Sequence, residues 1–458
     1  MRIKAKDVVV IGLAFFALFF GAGNLIFPPY LGAEGGSLWP LACAGFVLID
    51  VVVTSFGLWA LNHAGGSSVA LDAVLGKGPA LTLNTLAILC TGVLIAAPRT
   101  AATTYEMSVQ PFFGADIGLL PTSIAFFALV LALTYRQSRL VDIVGKFLTP
   151  VLVVCIVVLI AVGVTQPLGA PGAPTSPSPL GDGISAGYQA MDILCIVGFA
   201  IVMQNTVCEY GYGTGGTALK VTALSCVVAA VLLTAIYGGL TYLGATVSSQ
   251  FDPSVSQAEL LVSVSYQLMG PAGVAILGVI VGFACLTTAI GLVGAAASYF
   301  ERVSGGRVGY HQALVAIVVV CALLCNLGLS AIIELAQPLL DLVIPPFMAT
   351  VVLILFVNRI RSVWVYQGAA AGAALASALI VAENLTGALP AVGALPLYGV
   401  GFAWLPFAVL GALAGALAAR IQRQRGKRDV SPAERVRQLL AQAEPFADEV
   451  SCQEDYLR

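Results

Sequence analysis

Stretches of about 20 consecutive apolar residues, the length a helix needs to cross a bilayer, recur along almost the whole chain and fix its solvent before anything else. Inside hydrocarbon every backbone amide and carbonyl must be bonded within the protein, which a helix achieves segment by segment. Composition agrees: 59% of the 458 residues are hydrophobic and 10% charged, where a soluble domain carries roughly a quarter charged residues. The sequence reads as an all-α integral membrane protein in contact with membrane lipid. Twelve apolar segments can be drawn, at about 8–33, 38–62, 79–105, 120–136, 140–165, 185–208, 218–246, 270–300, 309–328, 330–357, 363–385 and 397–421.

Basic residues orient these segments. An even number of crossings leaves both termini on one side. Lys4, Lys6, Lys77, Arg136, Arg139, Lys146, Lys220, Arg302, Arg307, Arg359 and Arg361 share that side with Arg2 and with the basic residues of the tail from Arg420 to Arg458. Of the 21 Lys and Arg only Arg99 lies elsewhere, inside the third segment. Cytoplasmic loops carry the excess of Lys and Arg, so both termini are expected in the cytoplasm. A competing reading takes Arg2 to Lys6, the apolar run Val8 to Phe20 and Gly21-Ala22-Gly23 as a cleaved secretory signal, which would leave eleven crossings.

A formal net charge of -2 gives no basic face for a nucleic acid. The cysteines mostly stand alone in apolar runs, and Cys321 and Cys325, one turn apart, have no second pair to complete a zinc set. They read as small apolar fillers. There is no H-E-x-x-H metal motif and no nucleophile elbow, and His63 and His311 fall at segment ends. No enzyme and no catalytic residue is expected.

An internal repeat organises the chain. Gly78-Pro79-Ala80 opens the third segment and Gly270-Pro271-Ala272 the eighth, while Glu106 and Glu301 close them, 195 residues apart. Pro150 and Pro345, in the fifth and tenth segments, have the same separation of 195. Five crossings is an odd number, so the second copy enters from the opposite side, the inverted arrangement common in secondary transporters. The resulting division is a first repeat over 1–165, an external linker rich in Pro, Gly and Ser over 166–184, a second repeat over 185–357, two additional crossings over 358–425 and a cytoplasmic tail over 426–458. In the tail, Ser431-Pro432-Ala433-Glu434 has the form of a capping box opening a short helix.

Two segments carry breaks. Gly21-Ala22-Gly23-Asn24 is followed by Pro28-Pro29 in the first segment; each interior Gly weakens a helix by about 1 kcal/mol, and proline removes donors and bars a regular continuation. Freed amides at the start of the second half-helix can hold a carboxylate, and freed carbonyls at the end of the first half can ligate a cation. Alternatively, the glycines serve close helix packing. In the sixth segment Asp192, Gly198 and Phe199 mark the expected partner break. An intramembrane carboxylate is a functional candidate by default; the other reading of Asp192 is a helix cap or an interfacial group. Phe199 either lids an aliphatic side chain or faces lipid. In the eighth segment Ala284 with Thr287 and Thr288 offers neutral oxygens for a monovalent cation, unless the hydroxyls merely bond carbonyls one turn back. Asp50, Arg99, Glu106, Glu334 and Asp341 read mainly as structural inter-helix pairs, Arg99 and Glu106 falling on one helical face.

The run Ala17 to Pro29, with Ala97-Pro98-Arg99-Thr100, the Asp192 region and Cys285 to Gly291, resembles the bacterial branched-chain amino acid:cation symporters over roughly residues 1–425. That family groups with the amino acid-polyamine-organocation superfamily, and the resemblance implies the fold of the leucine transporter LeuT, with helices one and six broken. It implies that Gly21, Ala22, Gly23 and Asn24 with Ile196, Gly198 and Phe199 surround the substrate. The coupling ion, Na+, would be held by the carbonyls of Ala17, Phe20 and Ala284 and the hydroxyls of Thr287 and Thr288. The sixth segment departs from the superfamily pattern in having fewer aromatics. The expected function is import of leucine, isoleucine and valine by alternating access. H+ coupling through Asp192 or Glu209 is the alternative, and an ion channel a more distant one. Oligomeric state is left open.

Overall fold

The computed structural model describes residues 3–114, 116–135, 140–213, 216–425 and 430–442. Arg2, Arg136, Arg139, Lys427, Arg428, Arg458 and the tail beyond residue 442 lie outside the described residues, as does the side chain of Lys146. Among the described residues regular structure is entirely helical.

The first apolar segment is two helices, α1 (Ala5–Phe19) and α2 (Ala22–Gly35); the second is α3 (Trp39–Val47) and α4 (Thr54–His63), joined through a π-helical turn over Leu48–Val53. After α5 (Ser67–Leu75), the third comprises α6 (Lys77–Leu89), α7 (Ala96–Thr104) and α8 (Gln110–Phe113) with π-helical turns at Cys90–Leu94 and Tyr105–Val109. Then come α9 (Leu119–Tyr135), α10 (Leu140–Thr165), α11 (Pro179–Ala190), α12 (Asp192–Glu209), α13 (Gly216–Ala245), α14 (Gln257–Val303), α15 (Tyr310–Cys325), α16 (Leu329–Ile354), α17 (Val363–Thr386), α18 (Trp404–Gln424) and α19 (Pro432–Gln442). Eight helical stretches among the described residues are long and apolar enough to cross a membrane, and three shorter apolar helices accompany them.

Several boundaries differ from the sequence expectation. Pro28 and Pro29 do not stop the first segment: both are buried inside α2, which runs on to Gly35. A Cβ on Gly244 of α13 would lie 1.7 Å from the Pro29 carbonyl oxygen, and one on Gly32 would lie 1.8 Å from the Thr241 oxygen. The backbone that the prolines disturb is thus covered by a neighbouring helix rather than by lipid, the condition under which such irregularity is tolerated. The outer part of the sixth segment starts at Pro179, inside the stretch expected to be linker, because Pro is well placed in a first helical turn. The sixth helix is interrupted at Met191, the eighth is preceded by a helical arm bent at Gly270 (φ 61°), and the twelfth begins at Trp404.

Close packing on small residues recurs at the end of the chain. Gly368 and Gly372 of α17 face Gly411 and Gly415 of α18 so closely that a Cβ on Gly368 would lie 2.1 Å from the Gly411 oxygen. In lipid, where tails are as apolar as side chains, such backbone approach is what holds helices together. The tail helix caps as expected: the Glu434 amide donates to Ser431 Oγ at 3.2 Å. α19 packs on α5, and Leu440 lies against Gly65.

Candidate substrate and cation site

The two interruptions face one another. Phe20 (φ -80°, ψ 90°) and Gly21 (φ -112°, ψ -171°) separate α1 from α2, and Met191, buried in the left-handed conformation at φ 67°, separates α11 from α12. A non-glycine residue there costs roughly 1–2 kcal/mol, the kind of strain that persists where surrounding structure dictates it. A Cβ on Gly23 would sit 3.3 Å from Ala190 Cα, a tight contact that would press the two breaks apart by a few tenths of an ångström.

Each break exposes backbone ends. Of the last carbonyls of α1, that of Phe16 accepts from the Phe20 amide at 2.8 Å and that of Phe19 from Asn24 Nδ2 at 3.1 Å. Ala22 and Gly23 open α2, where the first amides of a helix have no partner within it. On the other break the Gln189 carbonyl accepts from Arg99 Nη1 at 2.7 Å. The guanidinium is 3% exposed, lies 5.5 Å from the Phe27 ring, and approaches Gly23 so closely that a Cβ there would fall 2.7 Å from Nη2. Arg99 therefore does not pair with Glu106, which instead accepts from the Leu329 amide at 3.3 Å.

Asn24 reaches from the first break into a buried polar centre. Its Nδ2 donates to Asp50 Oδ2 at 3.0 Å and Asp192 Oδ2 at 2.9 Å, and contacts the Tyr237 hydroxyl. All four residues are buried, and they come from the first, second, sixth and seventh segments. Asp50 sits in the π-helical turn Leu48–Val53, a distortion found frequently at functional sites. Asp192 is the first residue of α12, where the helix dipole favours negative charge; it is buried at 6% exposure, and the cap position is held by Met191.

The other expected residues divide. Phe199 meets Phe19 edge-on at 5.6 Å, so it reaches the first segment rather than lipid. Gly198 does not mark a break: α12 runs unbroken through Ile196 and Gly198, and the interruption lies at Met191, beside Asp192. A Cβ on Gly198 would contact Ala295, and Ile196 packs toward Gly57 of α4. Thr288 Oγ1 lies 3.3 Å from where a Cβ on Gly21 would be, which brings the eighth segment to the first break. The Thr287 hydroxyl donates to Phe283 and Ala284 carbonyls at 3.0 and 3.1 Å, so it is engaged on its own helix. Glu209 is exposed at the end of α12, apart from the breaks. Sequence reasoning noticed Asp50 and Arg99 only as structural pairs, although their charge inside apolar segments was the available signal; for Tyr237 there was none.

A family profile described as branched-chain amino acid transport protein matches residues 4–422. The chain belongs to this family. Within the branched-chain amino acid transport family, it is 32% identical to the branched-chain amino acid permease BrnQ of Bacillus subtilis, over 90% of this chain and 97% of the relative. It is 33% identical to the branched-chain amino acid transport system 2 carrier protein of Pseudomonas aeruginosa, over 78% and 82%. Solved structures give the fold of the family member: Mhp1, a nucleobase-cation-symport-1 family transporter, superposes with a TM-score of 0.60 at 17% identity over 90% of this chain and 92% of that one. MhsT in complex with L-phenylalanine gives 0.53 at 16%, over 91% and 98%. The architecture is the LeuT-like one, with broken helices one and six.

Proposed function

We infer that this protein is a secondary active symporter that imports leucine, isoleucine and valine across a bacterial cytoplasmic membrane, driven by a sodium gradient. The observation that carries the reading is the apposition of the two breaks, Phe20–Gly21 and Met191, at Gly23 and Ala190. It is supported by family membership and by relatives named as branched-chain amino acid permeases. The twelve crossings divide as a five-crossing repeat over 1–165, the outer connection, a second repeat to residue 357 and two further crossings, with both termini in the cytoplasm.

A branched-chain amino acid is a zwitterion with an aliphatic tail, and the residues at the breaks complement it. The amides of Ala22 and Gly23, at the positive end of α2, receive the carboxylate, with the Arg99 guanidinium beside Gly23 adding charge. Gly21 keeps the approach open, and Phe19 with Phe199 forms an aromatic wall near the aliphatic group. Asn24 fastens the unwound segment to the second, sixth and seventh helices rather than touching substrate.

The carbonyls of Ala17, Phe20 and Ala284 with the Thr288 hydroxyl make a neutral oxygen set suited to Na+, and the Thr287 hydroxyl joins it by exchanging its bond to the Ala284 carbonyl. Holding the cation there would brace the first break from the eighth helix and so order the amides that face the carboxylate. Alternating access then follows from rocking helices one, two, six and seven against the rest. The sodium ion's positive charge adds about 2.3 kcal/mol per 100 mV of membrane potential.

Leucine uptake into proteoliposomes with an imposed sodium gradient tests the reading, together with Thr287→Ala and Thr288→Ala combined. Sodium-stimulated, competable leucine accumulation that weakens in the double variant is expected. Undiminished sodium dependence in that variant counts against the cation site, and conductance without saturable uptake counts against a carrier.

A further inference from the structure

The side-chain amide of Asn24 has more partners than protons. Its nitrogen lies within hydrogen-bonding distance of the Phe19 carbonyl (3.1 Å), Asp50 Oδ2 (3.0 Å), Asp192 Oδ2 (2.9 Å) and the Tyr237 hydroxyl. An NH2 group offers two protons, and the Tyr237 hydroxyl, also in bonding reach of Asp50, offers one more. The two carboxyls converge on that one nitrogen, Asp50 Oδ2 at 3.0 Å and Asp192 Oδ2 at 2.9 Å. Two carboxylates gathered so closely in a buried site repel each other, and sharing one proton relieves that repulsion, as in acidic dyads.

Two unpartnered atoms point the same way. Asp50 Oδ1 is buried without a hydrogen-bond partner. On a carboxylate that atom would carry charge with nothing to solvate it, whereas on a carboxylic acid it is a carbonyl oxygen and far less costly to leave bare. Arg99 is a buried cation at the same breaks, 3% exposed, its Nη1 on the Gln189 carbonyl at 2.7 Å and its Nε without a partner. The other titratable groups facing the pair are Tyr237 from the seventh helix and Cys195 from the sixth; Cys285 of the eighth faces Arg99. Two carboxylates and one guanidinium leave a net charge of minus one in a buried centre. One added proton makes the cluster neutral.

We propose that Asp50 and Asp192 form a proton-binding site, holding one shared proton in the closed bundle and exchanging it with water as the breaks open. Asn24, Asp50, Asp192 and Tyr237 all belong to helices one, two, six and seven, the group that rocks. Arg99 comes from the third helix, outside that group. Rocking changes the distance from the guanidinium to the pair, and with it the affinity for the proton. The proton moves from water to a carboxylate oxygen on one side of the membrane and back to water on the other.

This coupling role rests on the transporter reading above, but occupancy of the site does not. Infrared spectra of the purified full-length protein at neutral pH should contain the carbonyl-stretch band of a protonated carboxylic acid that shifts in D2O. The band should disappear in Asp50→Asn and in Asp192→Asn, persist at a shifted position in Asp50→Glu, and stay unmoved in Asp341→Asn. Absence of the band, or its survival in both amide variants, overturns the site. In proteoliposomes with the potential clamped, each pH unit of inside-alkaline gradient should raise leucine accumulation up to about tenfold for one proton, and Asp50→Asn should abolish that response. Accumulation that follows sodium and ignores the pH gradient overturns the coupling role. No leucine accumulation under any gradient refutes the transporter reading and leaves the infrared result standing.

Discussion

Replacing Asn24 by alanine should destabilise the protein more than replacing any comparable buried asparagine, and Asn84 provides the contrast. Both side chains are buried, at 1% and 6% exposure. Asn24 donates to two aspartates at 3.0 and 2.9 Å, whereas Asn84 Oδ1 is buried with no partner. A hydrogen bond to a charged acceptor contributes about 1.5–3 kcal/mol. Two such bonds would give about 3–6 kcal/mol, and the lower end applies if one carboxyl is neutral or if water enters the space left behind. Asn84→Ala removes an oxygen that is already unsatisfied and should cost under about 1 kcal/mol, or stabilise. Unfolding free energies from denaturant titration in micelles measure both. An Asn24→Ala cost no larger than that of Asn84→Ala would refute the claim that this amide ties four helices together.

Three further outcomes are expected. Arg99→Gln, which keeps polarity but removes charge beside Gly23, should raise the leucine concentration for half-maximal uptake by roughly 10- to 100-fold, on about 1.5–3 kcal/mol for a charge-assisted bond, while expression is retained. Gly411→Val, placed where a Cβ would lie 2.1 Å from the Gly368 oxygen, should separate α17 from α18 and lower thermal stability in detergent, with Gly393→Ala, which meets nothing within 4 Å, as the neutral control. Leu440→Asp should free α19 from its seat on Gly65 and expose the segment past residue 425 to protease on intact inverted vesicles; unchanged cleavage would show that the seat is unimportant.

Membrane class and helix positions were legible in the chain because hydrocarbon imposes one local rule: an unbroken apolar run must bond its own backbone. The first break was legible for a related reason, since Gly21 and Gly23 weaken a helix from within. Pro28 and Pro29 misled because a proline's effect depends on what covers the disturbed backbone, and here Gly32 and Gly244 let α13 cover it. The second break eluded local reasoning: Met191 has no turn-forming character, and its φ of 67° is imposed by packing around it.

The same division holds for the site. Family motifs around Gly21 to Asn24 and Thr287 to Thr288 could be read along the chain, because each is a short run of residue types with special backbone or oxygen chemistry. The gathering of Asn24, Asp50, Arg99, Asp192 and Tyr237 could not. Those residues come from five segments, each charge alone reads as an ordinary inter-helix contact, and only folding reveals that two acids, one base and one amide are buried near one another. Apolar length marks which stretches of this chain are able to cross a membrane; the meeting of distant polar groups is a property of the folded bundle, because it depends on how helices far apart in sequence pack together.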